Sequence, residues 1–590
     1  MKKIFQSLFV VSFLFVAASC DNYFETNPDR LINDSDYISE ENDMYTGYMG
    51  IATTLQAVAD EMVLKSDIRA NYLEPNTTST QDLMDLYNYS NSQNNELADP
   101  AAFYDVILAA NDFMAKMLAY KEKVGGAMSD ETTEDFEAMV SGALRFKAWA
   151  YYKLANLYGE IIYFDDPIKE AKDLTDASIF THITNYGDMI QKCLDIIDYG
   201  YPGLEGIDGS KALNWGRFMD AEDISAESTY RIWYRSTPDY VCLRSDLLLA
   251  SNNPDYTWIK DQALTYLYNN LSDHTWSLGQ NNSYQNGYPA FFASGKGTSG
   301  IYISAAIYDG YYNQVHDLYD YFVGEKYVRG SKAAQALYTN SDGTLEKRRG
   351  SSLYWSLDGD SLCTKYYGGL YNTSSLTTRF RAISRGEFPN DAAIPLYRTQ
   401  DLHFFLAEAC NHLGEYDITK TLLMGGVEMK MAATGRTSMA VTAEEMAADP
   451  KWGEQWADAR WLTSNWEANR GICYNNDNSD GTYYLPVPVA DGGEDEVTEE
   501  ERIKAYDYAI MHEYMMEYVA EGKAMDMFTR MMQRYKDDAD FVDSVTDLIV
   551  AKYPEGDQEA IRAKVLDFGV GGQYYINWDL YSVAGVGSQE

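Results

Sequence analysis

Residues 143–160 read Ala143-Leu144-Arg145-Phe146-Lys147-Ala148-Trp149-Ala150-Tyr151-Tyr152-Lys153-Leu154-Ala155-Asn156-Leu157-Tyr158-Gly159-Glu160. Leu144, Ala148, Tyr151, Ala155 and Tyr158 recur at alternating intervals of four and three, the period that puts side chains on one face of an α-helix. Gly159 ends the run as a helix stop. Ile179, Ile183, Tyr186, Ile190, Leu194 and Ile197 repeat the period and predict a second helix over 179–197, before a glycine-marked break at 200–209.

Working outward, Ala102, Val106, Ala109, Ala110 and Phe113 predict a helix over 101–118. Further helix pairs are predicted at 239–270 and 401–431, and one long helix at 501–535. Small residues inside such pairs, Ala148 and Ala155 here, Ala407 and Ala409 later, resemble tetratricopeptide repeats, although period and loop length are irregular. The expected fold is mostly α, with irregular tetratricopeptide-like helix pairs in one compact unit. Between the helical blocks run two long stretches, about 271–400 and 436–500, rich in Gly, Asn, Ser and aromatics. Loops of that length in a compact protein are commonly functional, and their aromatic content argues against disorder. They are where a binding surface is expected.

The first twenty residues constrain location. Lys2 and Lys3 precede an apolar run from Leu8 to Ala18, and Ala17-Ala18-Ser19 supplies small residues before Cys20. The run is too short for a permanent span, which takes about 20 residues. Residues 1–19 therefore read as a signal peptide with a lipobox, Cys20 as the lipidated residue, and 20–42 as an acidic tether. Removing 1–19 takes away two lysines and no acids, leaving 45 basic against 90 acidic residues, a charge of −45. Such a field repels nucleic acid and polyanions, and favours neutral sugars or peptides as ligands. Tyrosine, at 50 residues, is over-represented; its flat face and polar tip suit interfaces and sugar stacking as well as helix packing. The five cysteines after Cys20 are scattered and form no CxxC pair, so neither a disulfide framework nor a zinc site is indicated.

Four motifs in order resemble the SusD/RagB family of surface nutrient-binding lipoproteins. Phe103-Tyr104, Ile107 and Asn111 stand near the first and residues 143–160 match the second. The third is Ile394-Pro395-Leu396-Tyr397-Arg398 running into Leu406-Ala407-Glu408-Ala409. Glu513, Glu517, Glu521-Gly522 and Arg530 follow the fourth, with Ala524 where the family has Arg. The Leu485-Pro486-Val487-Pro488 segment lies about a hundred residues before the chain end, where the family closes on such a motif. The resemblance implies a helical region over 43–270 forming one unit with 271–590, anchorage at the outer-membrane surface, and delivery of an oligosaccharide to a TonB-dependent SusC-like transporter. By region only, it points to Tyr72, Tyr87 and Tyr89, and to Tyr284, Tyr288, Trp355, Tyr366 and Tyr367, as ligand-facing aromatics. A peptide ligand is the alternative within the family, and a surface glycan hydrolase the alternative outside it.

No catalytic set stands out. Glu513, Glu517 and Glu521 fall at i, i+4 and i+8; a carboxylate row of that kind is either a reactive cluster or a scaffold paired with arginines such as Arg145, Arg398 or Arg530, and the resemblance implies scaffold. There is no HExxH for zinc. Asn476, Asn478, Asp480 and Gly481 faintly trace a calcium loop, but its twelfth position is Val487, so no cofactor is expected.

Overall fold

The computed structural model of the chain describes residues 38–70, 72–90, 94–167, 177–218, 233, 235–272, 276, 278, 302–308, 314, 316–322, 327–337, 353–355, 361–363, 369–370, 381–382, 392–472 and 498–578. Cys20, residues 20–37 of the expected tether and the candidate calcium loop lie outside them; the tether expected to run to 42 ends earlier, since Ile38 is buried and Glu41 already opens the first helix.

The long helices are α1 (Glu41–Ala70), α2 (Ala101–Val124), α3 (Asp130–Tyr158), α4 (Tyr186–Tyr199), α5 (Tyr240–Ala250), α6 (Tyr256–Asn270), α7 (Thr399–His412), α8 (Tyr416–Leu423), α9 (Glu499–Glu517), α10 (Ala524–Arg534), α11 (Ala539–Val550) and α12 (Glu555–Leu566). Helix α3 packs against α1, α2 and α4, while α7 packs against α6, α8 and α9. One continuous cluster of buried side chains runs from Ile38 to Ile576 and joins both halves of the chain. The fold is mostly α, as expected, with short two-stranded antiparallel sheets between helices. The longest pairs Tyr302–Tyr308 with Ala392–Arg398, in register from Ala392↔Tyr308 to Pro395↔Ala305 and irregular around Tyr397.

Helix α3 is buried along most of its length, and Gly159 closes it in the left-handed region at φ +70°. A Cβ there would sit 2.5 Å from the Tyr575 ring, so the glycine also admits the chain end. That end is tied down: the Ile576 N–H donates to the Leu157 carbonyl at 2.8 Å, and the Arg69 guanidinium donates to the Tyr574 carbonyl.

The predicted helix over 179–197 begins only at Tyr186. The Asn185 side chain accepts from the Asp188 N–H and caps it, while Thr181–Ile183 leaves to pair with Ile161–Tyr163. The predicted helix over 501–535 is two helices. Between them Ala520 (φ +63°) and Gly522 (φ +73°) are left-handed, and a Cβ on Gly522 would meet Met62 Cε at 2.9 Å. Glu521 therefore sits in a turn rather than on the helical face of Glu513 and Glu517.

Tyrosine's abundance has a structural use. Buried phenols tie element to element: Tyr45 donates to Asp135 at 2.7 Å, Tyr158 to the Ala98 carbonyl at 2.9 Å, and Tyr186 to Asn156 at 2.8 Å. In the described part of the second aromatic stretch, Trp452, Trp456, Trp461 and Trp466 are fully buried and pack ring on ring at 4.5–5.1 Å. They build core there, not the binding surface expected of that stretch.

Candidate functional site

The third and fourth motifs meet at the centre of the molecule. Arg398 is inaccessible to solvent; its Nη1 donates to Glu517 at 2.8 Å, and its Nε and Nη2 grip Glu521 at 2.8 and 2.9 Å. The Tyr518 ring lies under the guanidinium at 4.3 Å. Beside it Lys523 donates to Asp401 at 2.7 Å, and Arg530 and Arg534 share Glu408 at 2.6 and 2.8 Å. Arg534 also joins His412 on Asp507, holding that carboxyl well below its usual range against the opposing effect of burial. Glu517 and Glu521 of the fourth motif, with Asp401, Glu408 and Asp507, are thus the acids of a buried charge lattice joining α7, α9 and α10.

The sequence-designated tyrosines divide. Tyr72, Tyr87 and Tyr89 are core residues at 2%, 7% and 1% exposure. Tyr87 packs on Tyr553 with ring centres 4.4 Å apart, and Tyr89 donates to the Arg69 carbonyl at 3.0 Å beneath the Arg69 guanidinium. Their rings face protein, so packing accounts for them. Trp355 closes the strand Leu353–Trp355, which pairs with Ser361–Cys363; its backbone alone is described. Tyr284, Tyr288, Tyr366 and Tyr367 lie outside the described residues.

A cavity of 790 Å³, within the range of ligand sites, opens where α1, α3, α5, α6 and the 212–216 turn converge. Its aromatic walls are Tyr48, Trp215, Tyr266, Trp276 and Tyr302. Tyr266 and Trp276 stack at 5.8 Å with planes 17° apart; Tyr48 and Trp215 stand 6.4 Å apart. Between these rings lie the amides of Asn214, Gln262, Asn269 and Asn270. The combination is one that a sugar uses: flat faces for its C–H surface, and amides that both donate and accept for its hydroxyls.

Asp239 is the carboxylate among the described lining residues, and it is already engaged. It caps α5 by accepting from the Cys242 N–H at 3.0 Å, and it accepts from the Tyr266 hydroxyl at 3.3 Å. Burial foremost, then the Asp239 charge, pushes the Tyr266 phenol up, so it stays a donor. Arg145 and Arg235 complete the lining. Burial pushes the Tyr48 phenol up as well, with Arg145 opposing, and its oxygen lies 2.5 Å from Thr237 Oγ1. Among the described residues no cluster of His, Cys, Asp and Glu has the makings of a metal site. No helix among them is long and apolar enough to cross a membrane.

Sequence reasoning missed this cleft because its walls come from five separate segments with no common spacing. The available signal was the run Tyr266, Asn269-Asn270 and Trp276, an aromatic–amide–aromatic pattern at the end of a predicted helix pair.

No family model and no curated protein matches this chain. Among solved structures, Bacteroides fragilis NanU is similar at 17% identity, over 86% of this chain and 91% of that one, with a TM-score of 0.46. Surface glycan-binding protein A from Bacteroides uniformis is similar at 11% identity, over 85% and 89%, with a TM-score of 0.46. A SusD superfamily protein from Bacteroides thetaiotaomicron is similar at 14% identity, over 88% and 96%, again at 0.46.

Proposed function

We propose that the protein captures an oligosaccharide in the aromatic cleft and acts as a nutrient-binding lipoprotein of the SusD/RagB kind. In this reading Cys20 carries the lipid that holds it at the outer-membrane surface, and a TonB-dependent SusC-like barrel receives the ligand. The observation that carries it is the set of Trp215, the Tyr266–Trp276 stack and four amides around one cavity. The third and fourth motifs support it, since Arg398, Glu408, Glu517, Glu521 and Arg530 assemble a core lattice rather than a reactive site. Binding is favoured over hydrolysis because glycosidases work with two carboxyl groups about 5–10 Å apart, whereas Asp239 in the cleft is occupied as a helix cap.

The test is a glycan array run beside a matched peptide library, followed by mass spectrometry of the best ligand after incubation. Saccharide binding that is lost in Trp276→Ala supports the reading. Peptide binding at the same cleft, or turnover of the saccharide, overturns it. Pull-down from gently solubilised outer membranes should recover a stoichiometric barrel. Cys20→Ala should release the protein from the membrane, because each buried methylene of a lipid anchor contributes about 0.8 kcal/mol.

A further inference from the structure

Among the described residues, one cation of the cleft has no carboxylate paired with it. Arg145, on α3, is 6% exposed and lines the cavity beside Tyr48 and Thr237. Its Nη2 donates to the Lys211 carbonyl at 3.1 Å, its Nε makes no hydrogen bond, and among the described residues no carboxylate pairs with it. Of the other deeply buried arginines, Arg398 and Arg530 each grip at least one carboxylate, while Arg69 meets the Tyr574 carbonyl. The neighbouring Lys211 ammonium pairs with Glu137. Arg235 also lines the cavity, and Asp239 is the carboxylate among the described lining residues.

A buried guanidinium without a counter-charge is expensive, because desolvation is not offset by an ion pair. In a chain of net charge −43, with acids outnumbering bases almost two to one, Arg145 lines an open cavity yet pairs with no carboxylate among the described residues. A ligand anion would complete it. The guanidinium fork matches the planar oxygens of a carboxylate, and those of a sulfate, through paired N–H donors. The surrounding negative field sets an upper limit, since it would repel a polyanion.

We propose that the cleft takes a saccharide bearing a single anionic group, carboxylate or sulfate, seated on Arg145 while a sugar ring lies on the aromatic wall. This rests on the glycan-binding reading and refines the expectation of a neutral ligand.

The experiment uses the full-length lipoprotein in detergent and calorimetric titration. The probes are glucose-, galactose-, mannose- and N-acetylglucosamine-based trisaccharides, each in three forms: neutral, oxidised to a carboxylate at a terminal C6, and sulfated at that position. At least one anionic form should bind ten-fold or more tightly than its neutral parent, with the advantage shrinking in high salt. Carboxylate or sulfate is assigned by which form leads. Arg145→Gln should abolish the advantage, and Arg145→Lys should retain part of it. Trp276→Ala should weaken all three forms alike. Melting curves separate misfolding from lost recognition, and the Lys variant serves if the Gln variant does not fold. Neutral forms binding as well as acidic ones, or a preference that survives Arg145→Gln, overturns the Arg145 assignment but leaves the glycan reading standing. Failure of every form to bind overturns both.

Discussion

Arg398 and Arg145 are both guanidiniums buried in the helical core, and their surroundings are opposite. Arg398 meets two carboxylates in a bidentate and a single contact, with an aromatic ring beneath it. Arg145 meets a peptide carbonyl and the wall of a cavity. Charge buried with its partner belongs to the architecture. Charge buried without one, at the edge of a space large enough for a ligand, is set up for an event that the isolated protein does not contain.

The comparison breaks most readily at Arg398. Arg398→Met leaves Glu517 and Glu521 buried and unmatched, and should cost about 3–5 kcal/mol of unfolding free energy in denaturant titration. Arg145→Met removes a charge that had no partner and should cost less than about 1 kcal/mol on the same measurement, because no buried carboxylate is stranded. Equal losses at the two positions would erase the distinction. Next in size is the cleft wall. Trp276→Ala should weaken saccharide binding by about 1–3 kcal/mol, taking the cost known for stacked bases as a guide, with little change in melting temperature because Trp276 is only partly buried.

On the architectural side, Gly522→Ala should cost about 1–3 kcal/mol by thermal unfolding. The position has φ +73° and no room toward Met62, so the turn carrying Glu521 to Arg398 would be strained. A further signal is a slope with pH. Burial pushes the Asp246 carboxyl up to about 7, Arg530 opposing and Asp526 and Asp401 reinforcing. Its folded-state value lies above the unfolded one near 3.9, so the folded chain holds the proton longer. That contribution is complete below about pH 4 and is lost as pH rises through 7. Asp246→Asn should therefore gain stability relative to the parent with rising pH and level off above neutrality, as followed by melting temperature from pH 4 to 8. A constant offset between the two proteins would mean that Asp246 ionises normally in the fold.

The sequence disclosed what local periodicity controls. Leu144 to Tyr158 marked the face of α3, and Gly159 marked its end to the residue. It did not disclose the break between α9 and α10, because Ala520 adopts a left-handed conformation that alanine seldom takes. Tertiary contact at Met62 and Val63 selects that turn, and Gly522 was its only local sign. Tyr72, Tyr87 and Tyr89 were assigned toward a ligand by region, yet region does not specify which way a ring points. The cleft stayed hidden for a related reason. Tyr48, Arg145, Trp215, Tyr266 and Trp276 are neighbours only because five packed segments bring them there.

The tie between the chain end and the first helices bears on how fast the protein can fold. Arg69 reaches the carbonyl of a residue 505 positions away, and Ile576 docks onto the backbone at Leu157. Contacts between such distant residues are slow to form, since the loop must close before anything is gained. The socket left open by Gly159 cannot be filled until Tyr575 has left the ribosome, so the ends of α1 and α3 stay unsealed through nearly the whole of synthesis.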